Sequence, residues 1–163
     1  MGRNNKYSQE VLDIDRVTRT TKGGERMSFR ATVAIGDRKG KVGYGVKKGD
    51  DVQVAITKAF NHAEKNMIEI PLVNDTIPHE VQSDFKAANI IIKPAPQGSG
   101  LMAGGAVRSV LDLAGINNAS AKIISRSRNK ITNVKATFDA LQSFLVEPGS
   151  DELRHREKQQ TQS

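Results

Sequence analysis

The feature that most constrains this chain is a strand with one bare face. In residues 41–46, Val42, Tyr44 and Val46 share one face while Gly43 and Gly45 fall on the other. Side chains alternate across a strand, so the glycine face has no side-chain layer and lets another backbone approach closely. Just upstream, Met27, Phe29, Ala31, Val33 and Ile35 occupy odd positions and Ser28, Arg30 and Thr32 lie between them, the alternation of a half-buried strand. Residues 36–40, with a glycine at each end, join the two as a hairpin loop. Residues 11–20 supply a first strand, reached through a turn at Lys22, Gly23, Gly24, Glu25 and Arg26 whose glycines allow positive φ. Three antiparallel strands therefore come first.

A helix follows. Asp50 or Asp51 serves as its N-cap, and Val52, Ala55, Ile56, Ala59, Phe60, Ala63 and Met67 recur at helical spacing, with Lys58, Asn61, His62 and Lys65 on the other face. Pro71 opens a linker at 71–78 and places a domain boundary there. The second half begins with strands near 79–84 and 87–93, the latter holding Ile90, Ile91 and Ile92. A Pro/Gly segment at 94–105 leads to a helix over 106–114 that turns Val107, Val110, Leu111 and Ala114 inward and stops at Gly115. A strand near 120–127 and a helix near 132–145, carrying Val134, Phe138, Leu141 and Leu145, complete the pattern. The reading is an α+β chain: a flexible N-terminus at 1–10, a β-β-β-α domain at 11–70, the linker, an α/β domain at 79–147, and a polar, disordered tail at 148–163.

Charge narrows the partner. A net charge of +7 and a pI near 9.8 favour a polyanion, because cations bound to phosphates release condensed counterions. The excess is +5 in residues 1–70, +3 in 71–146 and −1 in 147–163, so the tail is a poor RNA anchor. Tryptophan is absent and aromatics make up 4%, which disfavours reading unpaired bases by stacking and favours reading backbone and shape. Without cysteine there is no disulfide, thiolate metal site or cysteine nucleophile. Neither a signal-peptide run nor a stretch approaching the ~20 apolar residues of a membrane span is present, so the expectation is a cytoplasmic protein with no membrane partner.

Candidate sites follow from the same residues. Arg16, Arg19, Lys22, Arg26, Arg30, Lys39, Lys41, Lys47 and Lys48 lie on or beside the first three strands, and alternation projects Arg30 from the face opposite Phe29. They read as an RNA-binding patch set against a scattered solvated face. The run Gly98, Ser99, Gly100, Leu101, Met102, Ala103, Gly104, Gly105 precedes a helix, where backbone amides bind phosphate; a tight turn without a ligand stands beside that reading. No Lys and Ser/Thr pair follows as in a P-loop, and the dinucleotide spacing is absent. His62, His79 and His155 fall in unrelated segments, the serines Ser99, Ser109, Ser125 and Ser127 lack a nucleophile-elbow context, and the carboxylates are dispersed, so neither a catalytic residue, a metal nor a cofactor is expected.

Several separated stretches, in order, resemble the ribosomal S-five family: KGGERMSF at 22–29, VAIGDRKGKVGYG at 33–45, KNMIEIPL at 65–72, KPAPQGSGLMAGGAVRSVLDLAGI at 93–116 and NVKATFDAL at 133–141. The likeness runs from about residue 11 to 144. It implies a domain like those that bind double-stranded RNA, followed by an α/β domain shared with GHMP-type kinases. It also implies a structural, non-enzymatic role in the small ribosomal subunit: binding small-subunit rRNA, touching ribosomal proteins S-four and S-eight, and supporting assembly, decoding accuracy and the mRNA entry channel. On the matching positions, Lys22, Gly23, Gly24 and Arg26 would touch rRNA near the head and neck, beside the spectinomycin site. Arg16 and Arg19 would lie near the mRNA entry, Gly98 to Gly105 would face RNA, and Arg108 would meet S-four. The sequence departs from the family at Glu25, where Arg is usual, at Lys47, where glycine is common, and at Asp50, where a basic residue is common. A carboxylate beside phosphate weakens that contact. The polar tail also differs from the longer family C-terminus, which bears on the contact with S-eight. Two other readings compete: a free double-stranded-RNA-binding regulator, and a degenerate small-molecule kinase using the 98–105 turn.

Overall fold

A computed structural model describes residues 6–72, 74–126 and 128–144. The polar tail, Leu145, Ser127, His155 and the first five residues lie outside that range. The described residues form two four-stranded sheets and three helices: β1 (Ser8–Thr21), β2 (Gly24–Gly36), β3 (Lys41–Gly49), α1 (Val52–Lys65), β4 (Ile68–Glu69), β5 (Val81–Phe85), β6 (Ala88–Pro94), β7 (Leu101–Met102), α2 (Gly105–Ala114), β8 (Ala119–Ile123) and α3 (Lys130–Gln142). The first sheet runs β1-β2-β3-β4 with every pair antiparallel; the second runs β5-β6-β8-β7, in which only β7 is parallel to its neighbour. The expected α+β class, a β-β-β-α module and then an α/β module, is what the chain adopts.

The bare face of β3 seats α1. A Cβ on Gly43 would stand 2.5 Å from the Ala63 carbonyl oxygen, one on Gly45 2.1 Å from that of Ala59, and one on Gly49 2.7 Å from the Ala55 nitrogen. Ala55, Ala59 and Ala63 recur every four residues, so one row of helix alanines lies on one row of strand glycines. All three alanines are fully buried, in a cluster with Ala31, Val33 and Ile35 of β2. Asp51 starts the helix by accepting a 2.7 Å hydrogen bond from the Val52 amide.

β2 departs from the half-buried pattern. Residues 31–36 are buried on both faces, because Ala34 on the even face joins a second cluster that includes Val107, Val110, Leu111 and Leu113 of α2. Alternation still selects the face turned to α1; the opposite face is covered by the second module, which no local pattern reveals. Two further expectations need correction. The first turn is not Lys22 to Arg26: β2 begins at Gly24, Thr21 pairs with Gly24, and Glu25 and Arg26 are strand residues opposite Thr20 and Arg19. β1 also begins earlier than expected, with Ser8 paired to Gly36.

The second module closes on the first through backbone. The amides of Arg38 and Gly40, in the β2-β3 loop, donate to the carbonyls of Leu113 and Ala114 at 3.0 and 2.9 Å, satisfying groups that the C-terminus of α2 leaves without a helical partner. Gly115 ends α2 with φ 89, and a Cβ there would lie 2.2 Å from the Arg38 oxygen. One core cluster therefore contains Leu12, Val42 and Ile70 of the first module with Ile90, Leu111, Phe138 and Leu141 of the second. Within 71–78, Pro71, Thr76 and Ile77 are buried, and the Asp75 carbonyl accepts from the amides of Asn117 and Asn118. Two short strands escaped the sequence reading, since β4 and β7 have two residues each and no room for a period. β8 stops at Ile123 rather than near 127, and α3 starts at Lys130, earlier than 132, capped by Asn129.

Candidate nucleic-acid interface

β3 pairs with β2 only from Phe29 onward, so residues 24–28 of β2 and 17–21 of β1 form a two-stranded arm beyond the sheet, about 17 Å long at strand rise. Every residue from 18 to 27 is exposed. Lys22 and Gly23 form the tip, where the Thr21 hydroxyl donates to the Gly24 carbonyl at 2.9 Å and Gly24 takes φ 132. The arm carries Arg19, Lys22 and Arg26 against one carboxylate, Glu25, and its base adds Arg16 and Arg30 with Asp15. Arg19 and Arg26 are direct cross-strand partners. Like charges at that position are destabilising unless an anion stands between them. Glu25, as the neighbour of Arg26 in the strand, projects to the opposite face, beside Thr20 and away from the Arg19–Arg26 pair.

The remaining cations divide. Arg30 lies opposite Asp15 and Lys48, and its guanidinium donates to Asp15 Oδ2 at 2.7 Å, so much of its charge is already met inside the protein; its Nε is buried with no hydrogen-bond partner among the described residues. Arg16 turns to the face of Phe29, where its guanidinium contacts the Met27 sulfur. Lys47 pairs with Ala31, on that same face. Lys39 and Lys41 belong to the other end of the sheet, roughly 40 Å from the tip at strand rise, where both of their amides donate to Asp37 Oδ1 at 2.8 and 3.0 Å. The nine sheet cations thus form an arm group and a distant pair rather than one patch.

In the glycine-rich segment, the amides of Gly98 and Gly100 both donate to the buried Asn118 Oδ1 at 3.1 Å, and Ser99 N donates to the Pro96 carbonyl. Those amides hold the turn and are not offered to a phosphate. Gly104 and Gly105 remain on the surface at the start of α2, where Gly104 is the N-cap and Gly105 takes φ 52. Arg108 is exposed on α2 and borders a depression of about 590 Å³ with Leu101, Met102, Ser120 and Lys122. Asn118 was not singled out in the sequence; it sits about twenty residues from the amides it holds, and no spacing signals that pairing.

His62 lies on α1 and His79 stands edge-on to Phe144 at 5.5 Å. Among the described residues no group of three His, Cys, Asp or Glu is placed to hold a metal ion, and no helix is long and apolar enough to cross a membrane.

Comparison with known proteins bears on both modules. Residues 7–71 match the family profile described as ribosomal protein S5, N-terminal domain, and residues 83–145 match ribosomal protein S5, C-terminal domain. A relative from Mycoplasmopsis agalactiae, small ribosomal subunit protein uS5, is 43% identical over 155 residues, which cover 94% of this chain and 67% of the relative. With the strand, glycine and helix pattern matched across both modules, the chain belongs to the ribosomal protein S5 family.

Proposed function

We propose that the chain is a structural constituent of the small ribosomal subunit in the cytoplasm, holding small-subunit rRNA with its β1-β2 arm. The observation that carries this reading is the arm: a two-stranded projection, exposed from residue 18 to 27, whose Arg19 and Arg26 face each other without a counter-ion among the described residues. Isolated two-stranded hairpins are marginal in water, and phosphates would both order the arm and relieve its repulsion. Arg16, Arg19, Lys22, Gly23, Gly24 and Arg26 make the principal contact, with Arg30, Lys47 and Lys48 at its base. Lys39 and Lys41 reach a separate segment, and Gly98, Ser99, Gly100, Gly104 and Gly105 present the surface turn before α2. The units are 11–70 and 79–147, joined by 71–78. Within the subunit the protein supports assembly and decoding accuracy, lies by the mRNA entry channel, and meets ribosomal proteins S-four and S-eight, with Arg108 at the S-four contact.

The kinase alternative gains nothing from the geometry, since Asn118 occupies two amides of the turn that would have to cradle a phosphate. The test is sedimentation of native extract: the protein travels with small subunits at moderate salt and leaves them at high salt. A profile confined to the soluble fraction refutes the proposal.

A further inference from the structure

The second module carries a cationic surface that the arm reading does not use. Between Asp112 and Asp139 the chain has Lys122, Arg126, Arg128, Lys130 and Lys135 and no Asp or Glu. The fold brings most of them to one end of the second sheet. There the Ile124 amide donates to the Asn89 carbonyl at 2.8 Å and the Asn89 amide to Ser125 Oγ at 3.1 Å, which sets the exit of β8 beside the β5-β6 turn. That turn contributes Lys86, whose Nζ lies 5.7 Å from the centre of the Phe85 ring, while Lys135 Nζ lies 5.2 Å from the same ring. Asn129 caps α3 by accepting from the Ile131 amide at 3.1 Å, which fixes where Arg128 and Lys130 leave the chain. Lys130 Nζ then reaches the Leu12 carbonyl at 3.4 Å, on β1.

Lys86, Arg126, Arg128 and Lys130 are exposed, and none is paired with a described carboxylate: the two salt bridges among the described residues are Arg30–Asp15 and Arg38–Asp112. The carboxylates on the elements involved are Asp84 on β5, Glu10, Asp13 and Asp15 on β1, and Asp139 on α3, four residues after Lys135. Concentrated like charge opposes the compact free state, so a partner of opposite sign has to offset it. Its apolar groups are few, the Phe85 ring half-buried beneath the Lys86 and Lys135 ammonium groups and Ile124 exposed. Arginine and lysine in that setting suit a phosphodiester backbone.

We propose that Lys86, Arg126, Arg128, Lys130 and Lys135 form a second RNA-backbone site, separate from the arm. The inference rests on the ribosomal reading and adds a contact to it. Leu12 is ten residues of strand from Lys22, about 33 Å, so the two sites grip RNA at separate points.

The test uses full-length protein and purified small-subunit rRNA, with affinity measured between roughly 50 and 200 mM salt. The variant Arg126→Gln, Arg128→Gln, Lys130→Gln should lower the slope of log affinity against log salt by about 2 to 3 and weaken binding about 10- to 100-fold, with an unchanged thermal melt. The charge-keeping variant Arg126→Lys, Arg128→Lys should retain the slope. An unchanged slope in the Gln variant overturns the site, and an unchanged slope with lost incorporation into particles means that the surface meets an acidic protein instead, which also overturns it. A companion Arg16→Gln, Arg19→Gln, Lys22→Gln variant separates the failures: if it flattens the slope and the loop variant does not, only this inference falls. If wild type does not bind the rRNA, the ribosomal reading falls with it.

Discussion

The two hairpins of the first sheet have nearly the same local chemistry and opposite fates. β1 turns into β2 at Lys22 and Gly23, and β2 into β3 through residues 37–40; both connections are short, cationic and bounded or occupied by glycine. The second is docked: its amides cap α2, and Gly36 and Gly115 let strand, loop and helix backbones meet. The first stands clear of the other described residues; a Cβ on Gly23 or Gly24 would have no neighbour among them within 4 Å. What separates them is the covering element. A turn whose glycines admit backbone is part of the protein's own core, and a turn whose glycines face solvent keeps its cations for a partner.

The comparison breaks most directly at its glycines. Gly36→Ala places a methyl 2.1 Å from the Leu113 carbonyl oxygen and should cost about 3 kcal/mol or more, whereas Gly23→Ala should stay within about 0.5 kcal/mol. Urea denaturation midpoints of the two proteins measure this, and equal midpoints would mean that the loop is not docked. Next in size is binding. Replacing Arg16, Arg19 and Lys22 with Gln should reduce the salt slope of rRNA affinity by about 2 to 3 without lowering the denaturation midpoint, since it removes the Arg19–Arg26 repulsion. Replacing Lys39 and Lys41 should change the slope by less than about 2, their maximum as two charges. If the far pair proves the larger, the arm is not the main contact.

Smaller effects sharpen the docked side. Arg38 and Asp112 approach to 3.3 Å with side chains 55% and 47% exposed, so a double-mutant cycle should give only about 0.5 kcal/mol. A larger coupling would place the latch in this ion pair rather than in the backbone hydrogen bonds. The last test uses Tyr44, which packs 4.5 Å from Phe138 across the two modules. Burial, and secondarily the Asp139 carboxylate, raise its pKa, so the folded chain favours the neutral phenol. Its contribution to stability is full below the unfolded phenol value of about 10 and is lost as pH rises through the folded value. Melts at alkaline pH should therefore fall less steeply for Tyr44→Phe than for wild type; identical curves would mean that Tyr44 is solvated.

Much of this was legible because it is periodic. Gly43 and Gly45 announced a backbone-on-strand contact, and the alanine row at 55, 59 and 63 supplies it. The inward residues of α2, Val107, Val110, Leu111 and Ala114, are all buried as spacing required. The candidate site was legible as a charge class but not as a geometry: nothing in the order of residues separates Lys39 and Lys41 from the arm cations. Nor does spacing show that Arg30 is paired with Asp15, or that Glu25 turns its carboxylate away from Arg26.

By itself, the sequence determined the succession of strands and helices, the face of each that seeks apolar cover, and the sign of the partner's charge, because each depends on residues a few positions apart or on composition alone. Tertiary structure decided which hairpin is buried, that β2 is covered on both faces, and that Asn118 takes up the amides of the glycine turn. These contacts join groups from about twenty to nearly eighty residues apart, and at such separations neither helix nor strand period relates the partners, so only the packed chain selects them.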